Sequence, residues 1–429
     1  MKYIFRLFIV IVLICLLSKC HNSEKVIIRI AGNVHSHLNE LIPIFEAKNP
    51  HIKVEIVDMR YPPGSKLVNS NRTHDAYVGY LSTANSDIDI YEIDVIWLTE
   101  FVKYGWVQSL DEYFPKEKQN LFLEGILKGT QINNHVWAVQ EWVDFGLMYY
   151  RKDILDKLAL KPPVTWEELL SFAKIAKNNK MSLLSFQGNN YEGLICFFNE
   201  LIRSFGGSVF NTKGKLEITS PQAQKALQLL VYLKKQNLLP EHINRYTEES
   251  THKDFLSGKS LFSRNWPYVY KLASYKEWNM QEKIGMIPIP KDKNHPRHYG
   301  TTGGWMLVMS KYSENRNESW KLMEFLTSEE IQKHLFQKHG LVPTRKKLFN
   351  EYTPKKLPGL ESYLIGQDYL SPRPMDQNYR EISRILSQKI WEAMTYWDIK
   401  DTKTQLGLAE TEINSIINRK SRLMQKKIK

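Results

Sequence analysis

One carboxylate stands inside a strongly apolar stretch of the chain. Asp94 is surrounded by Ile93, Val95, Ile96 and Trp97, and this run predicts a buried strand. A bare charge in such a strand is costly to bury, so the carboxylate must be paired, hydrogen-bonded or directed into a cleft. Because ligands of open α/β sheets bind beyond the carboxyl ends of the strands, Asp94 is a candidate ligand contact. Helix capping or an internal hydrogen bond is the structural alternative.

Aromatic residues beside glycine, proline or polar loop residues form a second group with binding chemistry. Their flat rings can stack on the C–H face of a pyranose, while nearby carboxylates and arginines bind hydroxyl groups. Gly303 and Gly304 would let the backbone approach a ligand closely. Packing in the core is the alternative for any single ring. The aromatic residues in question are Trp142, Tyr149, Trp266, Tyr268 and Trp305.

Signatures of catalysis and of metal binding do not occur in the sequence. HExxH, GxSxG and GxGxxG are missing, and the GKS at 258–260 lacks the first glycine of a phosphate loop. The paired histidines lack the spacing and the neighbouring cysteine or carboxylate residues of a metal site. We therefore expect no catalytic residue, no metal and no cofactor, with a hydrolase built on two dispersed carboxylates as the enzymatic alternative. The paired histidines are His35 with His37, His295 with His298, and His334 with His339.

The first twenty residues have the composition of a secretory signal. Basic residues precede an apolar run from Phe8 to Leu17, which is shorter than a membrane span. The sequence LSKC at 17–20 resembles a bacterial lipobox, although Lys19 replaces the small residue of that pattern. We expect residues 1–20 to be a signal peptide and lipobox, with a lipid on Cys20 that anchors an exported protein to a bacterial membrane. Simple cleavage or an uncleaved anchor are the alternatives.

Charge and length restrict the class of protein further. The chain has 429 residues and a net charge of +13. Its length is more than a single core usually accommodates and predicts two lobes. The lysines are spread along the chain, and the one dense basic run, at 419–429, is expected to end in a solvated tail at 421–429. Since no nucleic-acid-binding motif accompanies this charge, we expect no nucleic-acid partner. Cys196 is expected to be a buried packing residue without a disulfide.

The pattern of elements predicts an α/β fold. Strands at 26–30 and 52–57 flank an amphipathic helix at 38–48, and a third strand is expected at 94–97. This β-α-β rhythm is typical of a sheet covered by helices. A capping box at Thr165 and Glu168 begins a mostly helical region, and strands return near 284 and 305.

Ordered blocks of sequence between 26 and 418 resemble one known family. The chain is similar to the type I sugar-binding proteins of bacterial ABC importers, and most similar to their trehalose/maltose-binding subgroup. The blocks that carry this resemblance are FEAKNPHIKVEIV, DIYEIDVIWLTEFVKYGWVQSLDEY, VWAVQEWVDFGLMYYRKDIL, PPVTWEEL, RNWPYVY, IGMIPIP, TTGGWMLVMSKYS, ESWKLMEFLTSEEIQ, HGLVPTR and RPMDQNYREIS.

The resemblance implies a periplasmic-binding-protein-like fold, in which two α/β lobes joined by a hinge enclose a ligand cleft. The expected N-terminal lobe is 26–138 plus 288–327, and the C-terminal lobe is 139–287 plus 328–420. The chain would cross between the lobes near 139, 288 and 327. The resemblance also implies a function without covalent chemistry. A di- or oligosaccharide would close the hinge and be delivered to the membrane permease subunits by a monomer. A secreted carbohydrate-active enzyme and an exported sugar-sensing or surface protein are the alternatives.

Site residues follow from the family motifs. The acidic residue of the DVIW block would bind sugar hydroxyls, the first tyrosine of the YYRKD block would contact the sugar, and the arginine of the RP block would clamp hydroxyls. Gln140 to Asp144 depart from the usual proline and aromatic residue, so that Glu141 and Asp144 would change the hydroxyl pattern of the pocket. The expected ligand contacts are Asp94, Tyr149, Trp266, Gly304, Trp305, Arg373, Asp144 and Asn33, with His35 as the alternative to Asn33.

Overall fold

The computed structural model describes residues 25–32, 36–59, 70–211, 214–357, 369–374, 376–396 and 398–428. The predicted signal at 1–20 with Cys20, and the predicted contact Asn33 with its alternative His35, lie outside the described residues. Within the described ranges, no helix combines the length and the apolar character that crossing a bilayer requires.

The first three strands alternate with helices, as the sequence predicts, whereas the fourth to seventh strands follow one another directly. The strands are β1 (Val26–Gly32), β2 (Ile52–Asp58), β3 (Ile90–Asp94), β4 (Gln131–Ile132), β5 (His135–Val136), β6 (Val139–Phe145), β7 (Leu147–Arg151), β8 (Ser182–Ser185), β9 (Ser260–Asn265), β10 (Ile284–Ile287), β11 (Gly300–Met309), β12 (Val342–Pro343) and β13 (Leu370–Pro372).

The helices cover the sheets and differ widely in length. They are α1 (Ser36–Lys48), α2 (Ser70–Ser82), α3 (Leu98–Lys103), α4 (Lys116–Gln119), α5 (Glu124–Gly129), α6 (Lys152–Lys157), α7 (Trp166–Ser171), α8 (Ala173–Asn178), α9 (Glu192–Ser204), α10 (Pro221–Lys235), α11 (Glu248–Leu256), α12 (Tyr268–Leu272), α13 (Arg316–Leu326), α14 (Glu329–His339), α15 (Lys346–Lys356), α16 (Tyr379–Tyr396) and α17 (Thr402–Ile428).

The larger sheet has the strand order β12-β6-β11-β3-β1-β2, with β13 paired to β11. Strands β1, β2 and β3 are parallel, whereas β11 runs antiparallel to β3 and β6. The expected third strand at 94–97 is misplaced, because β3 ends at Asp94 and a 3₁₀ turn follows at Val95–Trp97. The Asp94 carboxylate caps this turn by accepting from the Ile96 amide at 3.3 Å. Such capping favours the turn and ends the strand at its carboxyl end.

The smaller sheet has the order β10-β7-β9-β8 and is surrounded by helices. The predicted capping box at Thr165 and Glu168 is confirmed at the start of α7. Apolar faces of α9, α10 and α16 meet in a core that includes Leu201, Leu230 and Leu386. These helices hold the elements that face the larger sheet.

The chain crosses between the sheets at points that differ from the predicted ones. Strand β6 lies entirely in the larger sheet, and the chain passes into β7 at Gly146 rather than near 139. A side chain at Gly146 would collide with the buried Glu200 carboxylate, since its Cβ would lie 1.8 Å from Oε1. Similarly, α14 packs Ile331 and Leu335 into the core of the larger sheet, so the crossing predicted near 327 lies beyond β12. An apolar helix face does not reveal from sequence which of two cores will bury it.

Candidate ligand-binding site

A cavity of about 380 Å³ lies where the larger sheet faces the helices around the smaller sheet. The larger sheet contributes Asp94, Trp142, Asp144, Gly303, Gly304 and Trp305. The opposite wall comes from α9, α11 and the turn after β9, and Arg373 follows β13. The lining residues of this wall are Tyr191, Glu192, Gly193, Cys196, Thr247, Glu248, Glu249, His252, Trp266 and Tyr268, and His37, Ser70, His339 and Leu341 complete the cavity.

Arg373 joins the two walls through a buried ionic cluster. Its guanidinium donates to both oxygens of Asp94, at 2.5 and 3.2 Å, and to Oε1 of Glu192 at 3.0 Å. A fourth donor reaches the Thr302 carbonyl at 3.3 Å. We call Arg373, Asp94 and Glu192 the Arg373 clamp. Because removal from water is costly, burial raises the pKa of Glu192, and the adjacent guanidinium partly offsets this effect. The clamp thus holds fixed charges at the cavity wall.

Asp144 lines the cavity, and only one of its two carboxylate oxygens accepts a hydrogen bond among the described residues. Its Oδ2 accepts from Trp142 Nε1 at 3.1 Å, whereas Oδ1 has no hydrogen-bond partner among the described residues. Burial raises the pKa of Asp144 to about 7, and the bond from Trp142 opposes the rise. Near neutral pH this carboxyl group can therefore donate to or accept from a ligand hydroxyl.

Stability should depend on pH through Asp144. A carboxyl group whose folded pKa is raised destabilises the fold progressively as pH increases from about 4 to 7. We expect Asp144→Asn to remove this loss, so that the variant gains on the order of 2 kcal/mol relative to wild type over that interval. Urea unfolding of both proteins at pH 4, 5, 6, 7 and 8 measures the difference. A difference in unfolding free energy that is the same at every pH would contradict the assignment.

The indole ring of Trp266 packs against the guanidinium group of Arg264. The Arg264 guanidinium lies 4.0 Å from the ring centroid, and Arg264 itself is held by Glu200 and Gln187. The Trp266 amide donates to the Asn265 side chain at 2.9 Å. The ring is therefore fixed from behind and lines the cavity with its other surface.

The two tryptophans of the larger sheet are also fixed by ring contacts. Trp305 meets Trp97 edge to face at 5.8 Å, and Trp142 meets His37 in the same way at 5.4 Å. Gly304 lets their strands approach, because its φ is +115° and a Cβ there would lie 2.2 Å from the Trp142 carbonyl oxygen. The predicted residues Asp94, Asp144, Trp266, Gly304, Trp305 and Arg373 thus all line one cavity.

Tyr149 does not line this cavity, contrary to the predicted sugar contact. It is fully buried, and its hydroxyl donates to the carbonyls of Trp266 and Pro267 at 2.8 and 3.2 Å. Its ring packs against Phe255. The correction follows from the pleat of β7, which directs Tyr149 into the core. The structure gives Tyr149 the role of positioning the backbone that carries Trp266.

Several lining residues were missed from the sequence. Glu192 begins α9, and Glu248 begins α11, where it accepts from the Tyr191 hydroxyl at 2.6 Å. Acidic residues in a first helical turn are common for electrostatic reasons alone, so no sequence signal separates these two from capping residues. Cys196 is buried and unbridged as predicted, and it also lies at the cavity wall.

Glu141 points away from the cavity, although the sequence suggested that it would change the pocket. It lies beside Glu92 and His37, and ligand atoms of the three residues are within 4.8 Å of one another. The expectation that His37 has no neighbouring carboxylate is therefore wrong. The two carboxylates come from positions 92 and 141, which are too far apart in sequence for a spacing motif to show them.

Comparison with known proteins decides the family. Residues 31–333 match the bacterial extracellular solute-binding protein family. The chain belongs to this family. The solute-binding protein is 32% identical to a probable ABC transporter-binding protein of Deinococcus radiodurans, over 77% of this chain and 81% of that one. It is also 32% identical to the maltose-bound MalE3 of T. maritima, with a TM-score of 0.82 over 91% of this chain and 100% of the other.

A further structural neighbour supports the fold alone. The α-D-tagatose-bound solute-binding protein of Thermotoga lettingae superposes with a TM-score of 0.78 at 22% identity, over 92% of this chain and 100% of that one. The predicted periplasmic-binding-protein-like fold is therefore confirmed. The name of the family denotes solute-binding proteins, and that of the Deinococcus relative denotes a binding protein of an ABC transporter, so both names indicate a binding protein rather than an enzyme.

Proposed function

We propose that this solute-binding protein captures a di- or oligosaccharide of the trehalose/maltose type and delivers it to the permease subunits of an ABC importer. The observation that carries the proposal is the composition of the cavity. Trp142, Trp266 and Trp305 all line it, together with the Arg373 clamp and Asp144. Indole faces suit the C–H faces of sugar rings, and charged groups suit their hydroxyls.

Similarity supports a ligand larger than one sugar ring, and the size of the cavity is within the range of small-molecule sites. A cavity of about 380 Å³ lies at the lower end of the range of about 300–1,000 Å³ that is typical of small-molecule sites. The neighbour MalE3, at 32% identity, was solved with maltose. Neighbours solved with ribitol and D-mannitol are 19% identical and share the fold, so these polyols serve as comparison ligands in the test.

Hinge closure is the mechanism that the proposal uses. A ligand that touches both walls interacts more strongly when they are close, and this difference in binding free energy shifts the population towards the closed form. The chain crosses between the two sheets at Gly146, and this crossing is hydrogen-bonded to β11, since the Gly146 amide donates to the Thr301 carbonyl at 3.0 Å. Binding, orientation and release complete the cycle, and no covalent step is needed.

The proposed location is outside the cytoplasmic membrane, with a monomer attached through lipid at Cys20. Two membrane signals hold a protein more firmly than one acyl chain. The dense basic run at 419–429 would supply the second by attraction to anionic lipid. Mass spectrometry of the exported protein would reveal the lipid on Cys20, and an unmodified mature N-terminus would contradict it.

A calorimetric and thermal-shift screen tests the proposed ligand. We expect maltose or trehalose to raise the melting temperature and to bind with micromolar affinity or better, whereas ribitol and D-mannitol bind at least tenfold more weakly. Recovered sugar should be chemically unchanged after incubation. Tighter binding of the polyols would overturn the ligand class, and turnover of labelled sugar would favour the carbohydrate-active enzyme. Binding in the absence of transport by the cognate permease would favour the surface protein.

A further inference from the structure

A second cluster of polar side chains lies behind the cavity wall. His37 is the second residue of α1, Glu92 lies in β3, and Glu141 lies in β6. Their exposed fractions are 3%, 0% and 1%. One nitrogen of the histidine and one oxygen of each carboxylate lie within 4.8 Å of one another. The larger sheet and α1 thus bring three potential ligand groups close enough for small shifts to place them around one ion.

Glu141 supplies an independent indication of a ligand. Both of its oxygens are buried, and no hydroxyl, amide or cationic donor among the described residues reaches them. The group that hydrogen-bonds Glu141 is another acid, Glu92. Its polar neighbour is the Glu92 carboxyl group, so two acids approach each other out of contact with water. Burial away from water disfavours the charged form of Glu141. Buried carboxylates of this kind are paired, protonated or bound to metal.

We propose that His37, Glu92 and Glu141 bind a divalent first-row transition-metal cation, with Zn²⁺ as the best-matched ion. One imidazole nitrogen and two carboxylate oxygens form a donor set that suits Zn²⁺, and three protein ligands leave a position for water. Two carboxylates balance the charge of one divalent ion. Mg²⁺ and Ca²⁺ prefer shells made of oxygen alone and fit this set less well.

The proposed ion would stiffen the wall of the ligand cavity. The His37 ring touches the Trp142 ring edge to face at 5.4 Å, and Trp142 in turn holds Asp144. Coordination of His37 would fix this chain of contacts from behind. His37 also lines the cavity, which gives an ion a route from solvent to the site. The metal site stands on the geometry of the cluster alone and does not depend on which solute the cavity takes.

Metal binding by the full-length exported chain tests the proposal. After chelator treatment, ZnCl₂ titrated into wild type should bind with one tight site, and CoCl₂ should give visible absorption of a cobalt–imidazole complex. We expect Glu141→Gln and His37→Gln each to weaken zinc binding at least tenfold. Glu100→Gln is the matched control, because Glu100 pairs with the buried His74 at 2.8 Å and this pair is not part of a cluster of three potential metal ligands among the described residues. It should leave zinc affinity unchanged.

A surface cluster provides the competing explanation for any zinc that binds. Glu40 contacts His334 at 2.6 Å and His339 at 3.4 Å. Loss of the tight site in His334→Gln, with retention in Glu141→Gln, would overturn the proposal, as would equal affinity in wild type and Glu141→Gln. If Glu141→Gln fails to fold, His37→Gln and the cobalt spectrum of wild type decide the question. A zinc dissociation constant of the wild-type protein above about 100 µM would also refute the site.

Discussion

Arg373→Ala is expected to lower the free energy of unfolding by about 3–5 kcal/mol, as is typical when one partner of a buried ion pair is removed. Arg373 is 5% exposed, and its guanidinium satisfies two buried carboxylates at once. Alanine would leave Asp94 and Glu192 facing each other without a counter-charge. Urea unfolding at pH 7 measures the loss.

Arg29→Ala is the matched control for this prediction. Arg29 pairs with Glu55 at 2.9 Å, but both side chains are largely exposed, at 39% and 46%. An exposed pair of this kind contributes less than about 1 kcal/mol. Similar stability changes in the two variants would show that the Arg373 clamp is not the buried, stabilising cluster described above. Ligand binding is then measured where Arg373→Ala is still folded, and we expect it to be lost.

Trp266→Ala is expected to weaken solute binding at least about thirtyfold, which corresponds to about 2 kcal/mol or more. The indole is 9% exposed, held from behind by Arg264, and open to the cavity in front. Rigid, well-packed tryptophans in such positions carry a large share of binding free energy. Calorimetry with the tightest ligand of the screen measures the change, and Trp266→Phe should recover part of the affinity.

Trp278→Ala separates this effect from general destabilisation. Trp278 is partly buried against the same core as Tyr149 and does not line the cavity. Its truncation should lower the melting temperature and leave the affinity within about twofold of wild type. Equal losses of affinity in the two tryptophan variants would remove Trp266 from the site.

The sequence was sufficient for the features that depend on local pattern. The β-α-β rhythm, the capping box at Thr165 and the costly carboxylate at Asp94 each follow from periodicity or from burial energetics. Asp94 also shows that structural and functional alternatives are compatible, since one carboxylate caps a turn, binds Arg373 and lines the cavity.

Features that depend on tertiary packing were not predictable. The crossing at Gly146 depends on Glu200, which approaches it only in the folded protein. Tyr149 was assigned to the cavity by its place in a motif and Glu141 by a departure from one, yet neither residue lines it. The period of a strand shows that alternate side chains share a face, but not which face meets the ligand. Similarly, His37 acquires its carboxylate neighbours only when α1 packs on the sheet.

The Arg373 clamp also has a consequence for the order in which the molecule acquires its structure. Arg373 follows Glu192 by 181 positions and Asp94 by 279. Contacts over such separations form slowly, because a long loop must close before they contribute. Until the segment around Arg373 arrives, the two acids have no cation and stay hydrated or protonated, which delays burial of the surfaces around them. Refolding should therefore pass through an intermediate whose two sheets are formed but whose solute cavity is still wet, and docking of the C-terminal segment should be the step that makes the protein competent to bind.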